Sequence, residues 1–395
     1  MGEASSTRQF GDAVAELCAS ARIDVVTAVP GHGVSACFGA VQARSGKPGP
    51  WSFHEEVAYS MAHGASLAGG RALCMMKTHG FLKAANAISD SLYSGARAAL
   101  VLLAFHDPTG EHSDTHLEIE PVARALSVPV RRPAFGDFPA AFEEAVTEAE
   151  RARLPQLLIA DASWAERAPA DRDIGGGPAA PGEALAPEKN VCAPIFATYQ
   201  KRVLDAKLAG RDWSAVEAPE KPVVPEGLPE RFAAAAQDCM PFFDAFREFD
   251  PGLVCGDTSI PTLFCLPPYE RVHACTHMGG SVPLGAGALM AGAPDVWSIT
   301  GDFSFLAAGH MALLEVVQRK LPLKIAIFEN GCAGATGGQP LDASLLDRVL
   351  LGYEANTRAL EASRDRGACR EALEAMRRSD EMAILRVKIA AGASA

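Results

Sequence analysis

Residues 299–340 read ITGDFSFLAAGHMALLEVVQRKLPLKIAIFENGCAGATGGQP. An apolar run ends in Gly301-Asp302, a helical pattern of about a dozen residues follows, and a second apolar run ends in Glu329-Asn330 before a glycine-rich loop. In a parallel sheet both Asp302 and Asn330 fall at the carboxyl ends of their strands, the edge at which open α/β sheets bind ligands. Asp302 offers a carboxylate, Asn330 an amide oxygen, and a loop carbonyl near Cys332 a third oxygen. Mg²⁺ is a hard cation that takes such donors and shares them with a diphosphate. Gly301 lets the backbone approach the anion closely. The helix after Phe303 would aim its first amides at it, and Ser304 adds a hydroxyl. A bare Gly-Asp is more often a strand–turn–helix with a capping aspartate. The asparagine twenty-eight residues on, and the loop behind it, weigh against that reading here.

A second group of reactive side chains lies in the first half. In WSFHEEVAYSMAHGASLAGG (51–70) a strand ends at Phe53-His54 and a helix begins at Glu55. Glu55 and Glu56 complement a helix N-terminus whatever else they do. His32 (AVPGHGVS), His79 (MKTHGF) and His112 (TGEHSD) follow strand ends or sit on a long loop. Imidazole is suited to proton transfer near neutral pH, although each alone is as readily a loop residue with a structural hydrogen bond. His54 reads as a packing residue and ranks below these three, and His63 reads as surface or core. Lys77 and Lys83 flank His79 and could hold a carboxylate, with solvated lysines the plainer account. In ACTHMGGSVPLGAG (274–287), Thr276 and Met278 precede a glycine pair.

These residues need two sheets to carry them. Runs at 24–29, 71–77, 98–105 and 156–161 are predicted strands, separated by helices at Gln9–Arg22, Glu55–Gly69, Leu82–Leu92 and Phe138–Ala152. Near-continuous apolar strands alternating with helices predict α/β architecture, with doubly wound parallel sheets covered on both faces. A second such rhythm has strands at 252–257, 271–276, 295–302, 323–330 and 382–388. Between the two, APADRDIGGGPAAPGEALAP (168–187) and APEKPVVPEGLPE (218–230) are rich in Pro, Gly and Ala, with a helical pattern at Ile195–Leu208. The division expected is 1–165, a linker with a helix over 166–225, and 226–395.

Composition narrows the class. The chain has 395 residues, 48% of them hydrophobic, and a formal net charge of -12. That is enough for two cores, and the acidic balance disfavours nucleic acid and anionic membrane as partners. No apolar run reaches the roughly 20 residues that span a bilayer. Met1 to Phe10 is polar and lacks a signal peptide's apolar core, so the expected location is cytoplasmic. None of the ten cysteines forms a C-x-x-C pair, and most lie in apolar stretches. Reduced, buried thiols are therefore expected, with no structural zinc or iron–sulfur cluster carried wholly by this chain.

The Gly-Asp…Asn segment resembles the cofactor-binding signature of thiamine diphosphate (ThDP) enzymes acting on 2-oxo acids. Phe303 departs from the glycine often found there. The resemblance covers most of the chain. It is closest to the alpha subunit of indolepyruvate ferredoxin oxidoreductase, through residues 71–114, 189–210 and the loop 334–340. The loop GATGGQP is similar also to phosphonopyruvate and sulfopyruvate decarboxylases. The resemblance implies a pyrimidine-binding (PYR) domain, then a linker, then a diphosphate-binding (PP) domain. It implies ThDP and Mg²⁺ as cofactors, with Gly301, Asp302, Phe303, Ser304 and Asn330 around them and Asp302, Asn330 and the Cys332 carbonyl on the metal. Glu55 would drive the aminopyrimidine to its imino form, Met278 would wedge the coenzyme into a V, and the Thr276 carbonyl would face the aminopyrimidine. His32, His79 and His112 are the proton-relay candidates. A homodimer at minimum is implied, since the glutamate and the metal site come from different subunits in this family. The alpha subunit ends in a ferredoxin-like domain with closely spaced cysteines; here only Cys369 stands near the end. Non-oxidative decarboxylation of a 2-oxo acid, or carboligation, through an enamine is therefore the first expectation. The second is the catalytic subunit of an oxidoreductase with its iron–sulfur cluster on a partner subunit. A ThDP-binding subunit without turnover is the third.

Overall fold

A computed structural model describes residues 8–46, 49–170, 182–361 and 363–389. Residues 1–7, most of the polar N-terminal stretch, and 171–181, the centre of the first Pro/Gly-rich stretch, lie outside the described residues. The chain divides into two units, Met1–Glu183 and Ala184–Ala395. The helix Pro194–Leu208 and the residues flanking it thus belong to the second unit, where Val191 bridges to Cys275 and the Val224 amide donates to the Pro267 carbonyl.

The first unit holds five parallel strands: β1 (Val25–Ala28), β2 (Ala72–Lys77), β3 (Leu100–His106), β4 (Val130–Arg131) and β5 (Gln156–Asp161), in the order β1-β2-β3-β5-β4. β2 and β3 are buried almost throughout, which is why they read as unbroken apolar runs. One face carries an aromatic core in which Phe10 meets Phe105, Phe138 and Trp164 edge-on. The helix Glu55–Leu67 packs on β1 and β2 and is buried from Val57 onward. Its Ala, Ser and Gly side chains let it lie close, and its polar groups find partners. Tyr59 pairs with Ser91, His63 Nε2 with the Gly95 carbonyl at 2.8 Å, and Ser66 with the Ala98 carbonyl.

In the second unit a six-stranded parallel sheet runs β12-β13-β9-β8-β6-β7. Its strands are β6 (Leu253–Gly256), β7 (Ala274–Cys275), β8 (Val296–Gly301), β9 (Lys324–Glu329), β12 (Thr357–Leu360) and β13 (Ala383–Lys388). A two-stranded hairpin, β10 (Cys332–Ala333) and β11 (Gln339–Pro340), follows β9. Phe242, Phe243, Phe246, Phe264, Trp297 and Phe328 form the core on one face. The helix Ser281–Met290 packs on β8, its Gly285 so close that a Cβ there would lie 2.5 Å from Ser298 Oγ. From β6 the chain steps outward to β7, then returns to the other side of β6 as β8. The crevice at the carboxyl ends of β6 and β8 is thus a topological switch point.

Candidate active site

In the second unit, Gly301 of β8 pairs in register with Phe328 of β9. Asp302 and Asn330 therefore leave neighbouring strands side by side. A cleft at this edge is lined by Met278, Gly301, Asp302, Phe303, Ser304, Asn330 and Cys332. Seven of the residues singled out in the sequence thus share one cleft; Thr276 is buried two residues from Met278 and is not on its wall. Asp302 is 3% exposed, and burial raises its pKa above the ordinary carboxylate value. Its Oδ1 accepts the Phe303 amide and its Oδ2 the Gly331 amide, both at 2.8 Å. Each oxygen keeps lone-pair capacity beyond that bond. Asn330 Oδ1 accepts the Cys332 amide at 3.2 Å. Pro340 stands opposite Cys332 in the hairpin and has no N–H, so it donates nothing to the Cys332 carbonyl. Burial raises the pKa of the Cys332 thiol, which keeps it protonated and a poor ligand. The donor set is oxygen only, as a hard divalent cation requires.

Two apolar side chains, Met278 at 39% exposure and Phe303 at 37%, face this cleft rather than a core. The turn that presents Met278 is tightly held. Gly279 has φ +78, and a Cβ there would lie 2.5 Å from the Gly309 nitrogen. That packing falls where the expected single helix breaks. The segment is instead Asp302–Ala307, a 3₁₀ turn Gly309–Ala312, and Leu313–Gln318, with Ala308 at φ -152 between the first two.

The loop after β6 is a wall of the cleft that the motifs above do not include. Thr258, Ser259 and Ile260 line it. Asp257, fully buried, accepts Thr300 Oγ1 at 2.6 Å and Ser281 Oγ at 3.3 Å on Oδ2, while its buried Oδ1 has no hydrogen-bond partner. Burial drives its pKa up to about 6, against the hydroxyl donors that lower it. A signal for it exists in the sequence: Gly256-Asp257 ends a strand just as Gly301-Asp302 does.

In the first unit, His32, His79 and His112 gather at the carboxyl edge of the sheet. The His32 and His112 rings lie 3.9 Å apart, and His79 Nε2 is 2.7 Å from Thr115 Oγ1 on the same loop as His112. Burial, then the neighbouring His112, lowers the His32 pKa, so His32 is neutral at pH 7. Lys77 donates to the His112 carbonyl. Glu55 opens the helix that follows His54, with Lys83 Nζ 3.0 Å from its Oε2, outside hydrogen-bond geometry. Gly80 makes room for it: a Cβ there would lie 2.6 Å from Glu55 Cγ. His63 is a core residue, as its bond to Gly95 shows. Eight of the ten cysteines are buried, and Cys192 and Cys332 are partly exposed.

Residues 263–387 match the family described as thiamine pyrophosphate enzyme, C-terminal TPP binding domain. This segment is similar to the binding domain of that family. It contains Met278, Asp302, Asn330 and Cys332 of the cleft just described, while the wall of Thr258, Ser259 and Ile260 precedes it. Among curated proteins, the indolepyruvate oxidoreductase subunit IorA of Archaeoglobus fulgidus is 34% identical over 130 residues, 31% of this chain and 21% of that protein. Its counterpart from Methanothermobacter marburgensis is 26% identical over 157 residues, 37% of this chain and 25% of that protein. The matched segments thus span about a fifth to a quarter of those relatives' length. Among solved structures, the thiamine diphosphate-dependent 4-hydroxybenzoylformate decarboxylase of Rhodococcus jostii RHA1 aligns over 97% of this chain and 99% of its own, with TM-score 0.67 and 17% identity. Benzoylformate decarboxylase from Polynucleobacter necessarius does so over 97% and 99%, with TM-score 0.64 and 12% identity. At these identities the likeness establishes the fold: α/β with parallel sheets, as in ThDP-dependent enzymes. Among the described residues no helix is long and apolar enough to cross a membrane.

Proposed function

We propose that the chain is a ThDP- and Mg²⁺-dependent enzyme that decarboxylates a 2-oxo acid non-oxidatively, or joins the product to a second carbonyl. The observation that carries this reading is the oxygen-only donor set of Asp302 and Asn330 at the sheet's switch point, inside the segment of the matched family. The bound coenzyme supplies the nucleophilic carbon and the sink for the electrons that decarboxylation releases. The chain's own residues do the rest. Asp302, the Asn330 amide oxygen and the Cys332 carbonyl would hold the cation, and the Gly301–Ser304 turn would receive the diphosphate. Met278 would support the coenzyme from the cleft wall. Glu55, contributed by a second copy of the chain in a homodimer, would hold the coenzyme's pyrimidine ring and present a carboxylate to it. His32, His79 and His112 are the groups that would move protons to the product.

An apolar cavity of about 500 Å³ lies beside the cleft and shares Thr258, Ser259, Ile260 and Ala335 with it. Its lining of Ile195, Leu228, Phe232, Leu263 and Leu266 supports an aryl or alkyl side chain on the substrate. The IorA relatives support one second reading, a catalytic subunit of a 2-oxo acid:ferredoxin oxidoreductase whose iron–sulfur cluster sits on a partner chain. Purified chain with ThDP, Mg²⁺ and a panel of 2-oxo acids separates the two. Aldehyde released without an electron acceptor supports decarboxylation. Turnover only with a redox dye or an iron–sulfur partner supports the oxidoreductase. Coenzyme binding with no turnover in either assay overturns both and leaves a binding subunit.

A further inference from the structure

We propose that His106, His116 and Glu118 form a second metal site, for a divalent transition ion with Zn²⁺ foremost, at the carboxyl edge of the first unit's sheet. One ligand atom from each lies within 4.8 Å of the others. His106 ends the central strand β3 and is 2% exposed. Its Nε2 is buried, sits 3.0 Å from Glu118 Oε1, and still makes no hydrogen bond among the described residues. Two donors on one tetrahedral Zn²⁺, each about 2.0 Å from the ion, lie roughly 3.3 Å apart and aim at the ion rather than at each other. The 3.0 Å between these two atoms is close to that spacing. The His116 ring is 5.6 Å from the His106 ring, centre to centre, and tilted 57° to it.

The loop that returns His116 and Glu118 to His106 is held in place without any ion. The Asp107 carboxylate accepts the Gly110 and His112 amides and the Thr109 and Ser113 hydroxyls. Further on, Thr115 is tied to His79. Arg132 takes the other Glu118 oxygen at 2.8 Å, which fixes the carboxylate and leaves Oε1 to face His106. This is the outer-shell arrangement that orients a ligating carboxylate. Two imidazoles and one carboxylate favour Zn²⁺, Co²⁺ or Ni²⁺ over Mg²⁺, in contrast to the oxygen-only set at Asp302. Three protein ligands leave a coordination position for water or a small oxygen ligand.

The test uses the full chain, chelator-treated and free of ThDP, titrated with Co²⁺ alone and then with Zn²⁺. Visible absorption and equilibrium dialysis are the readouts. One tight equivalent of Co²⁺ is expected, with the bands of nitrogen and oxygen ligation, no thiolate charge transfer, and displacement by Zn²⁺. His116→Ala and Glu118→Gln alter exposed side chains and should fold normally; each should weaken Co²⁺ binding at least about tenfold. Asp302→Ala should leave that equivalent in place. The site does not exist if the wild type takes up no stoichiometric Co²⁺, if both loop variants bind it as the wild type does, or if Asp302→Ala removes it.

Discussion

The carboxylate of Asp257 should make the stability of the second unit depend on pH in a way one substitution removes. Asp257 is fully buried behind the cleft wall, and one of its oxygens has no partner. Burial lifts its pKa from 3.8 to about 6. Between those values the folded chain holds a proton that the unfolded chain has lost. Because the folded pKa of this acid is raised, stability is greatest below about pH 4 and falls as pH rises through about 6. A rise of roughly two pH units, at about 1.36 kcal/mol for each, amounts to about 3 kcal/mol. Asp257→Asn has nothing to titrate, and its amide oxygen can still accept the Thr300 hydroxyl. Wild type and variant are unfolded in urea across about pH 4 to 8, followed by the emission of the buried Trp297. The difference between their unfolding free energies should change by about 3 kcal/mol over the window, in favour of the variant at high pH. Curves that run parallel across the window would refute the assignment of a protonated Asp257.

Other outcomes follow from the same structure. Asp302→Ala should abolish Mg²⁺-dependent ThDP retention, measured by calorimetry, with a stability loss of about 1–3 kcal/mol from the two amides that lose their acceptor. Since burial raises the Asp302 pKa, wild-type retention should weaken on acidification sooner than an ordinary carboxylate would allow; retention that persists unchanged to pH 4 contradicts this. Gly80→Ala places a methyl 2.6 Å from Glu55 Cγ and 3.1 Å from Met76 Cβ. It should cost about 1–3 kcal/mol and lower turnover more than ThDP affinity; an affinity loss alone would speak against a role for Glu55. Gly279→Ala combines positive φ with a contact to the Gly309 backbone, and should weaken ThDP binding by shifting Met278. An unaltered binding isotherm would remove Met278 from the site.

How much of this is legible in the sequence depends on whether local or distant contacts decide each element. β2, β3, β8 and β9 are buried runs whose composition fixes both type and place. β12 is half exposed, with no apolar run to mark it, and the two-residue β4 is too short to carry a pattern. The predicted strand 271–276 contracts to Ala274–Cys275. The helix after Gly301 is broken where Gly279 presses on Gly309, a contact between residues thirty positions apart that no local pattern announces. Asp302 and Asn330 are legible because strand-end position is enough to place them. Asp257 obeys the same rule but has no partner down the chain to draw attention to it. His106, His116 and Glu118 are invisible together because the loop held by Asp107 is what closes the gap between them.

Catalysis as proposed requires Glu55 to act on a coenzyme held at Asp302 and Asn330, so the decisive measurement is the rate at which the C2 proton of bound ThDP exchanges with deuterium. Quenched-flow NMR of wild type and Glu55→Gln, both saturated with ThDP and Mg²⁺, supplies it. Exchange that falls by orders of magnitude in Glu55→Gln while ThDP stays bound is the expected result. Equal rates in the two proteins, or wild-type chain that binds no ThDP at all, would contradict it.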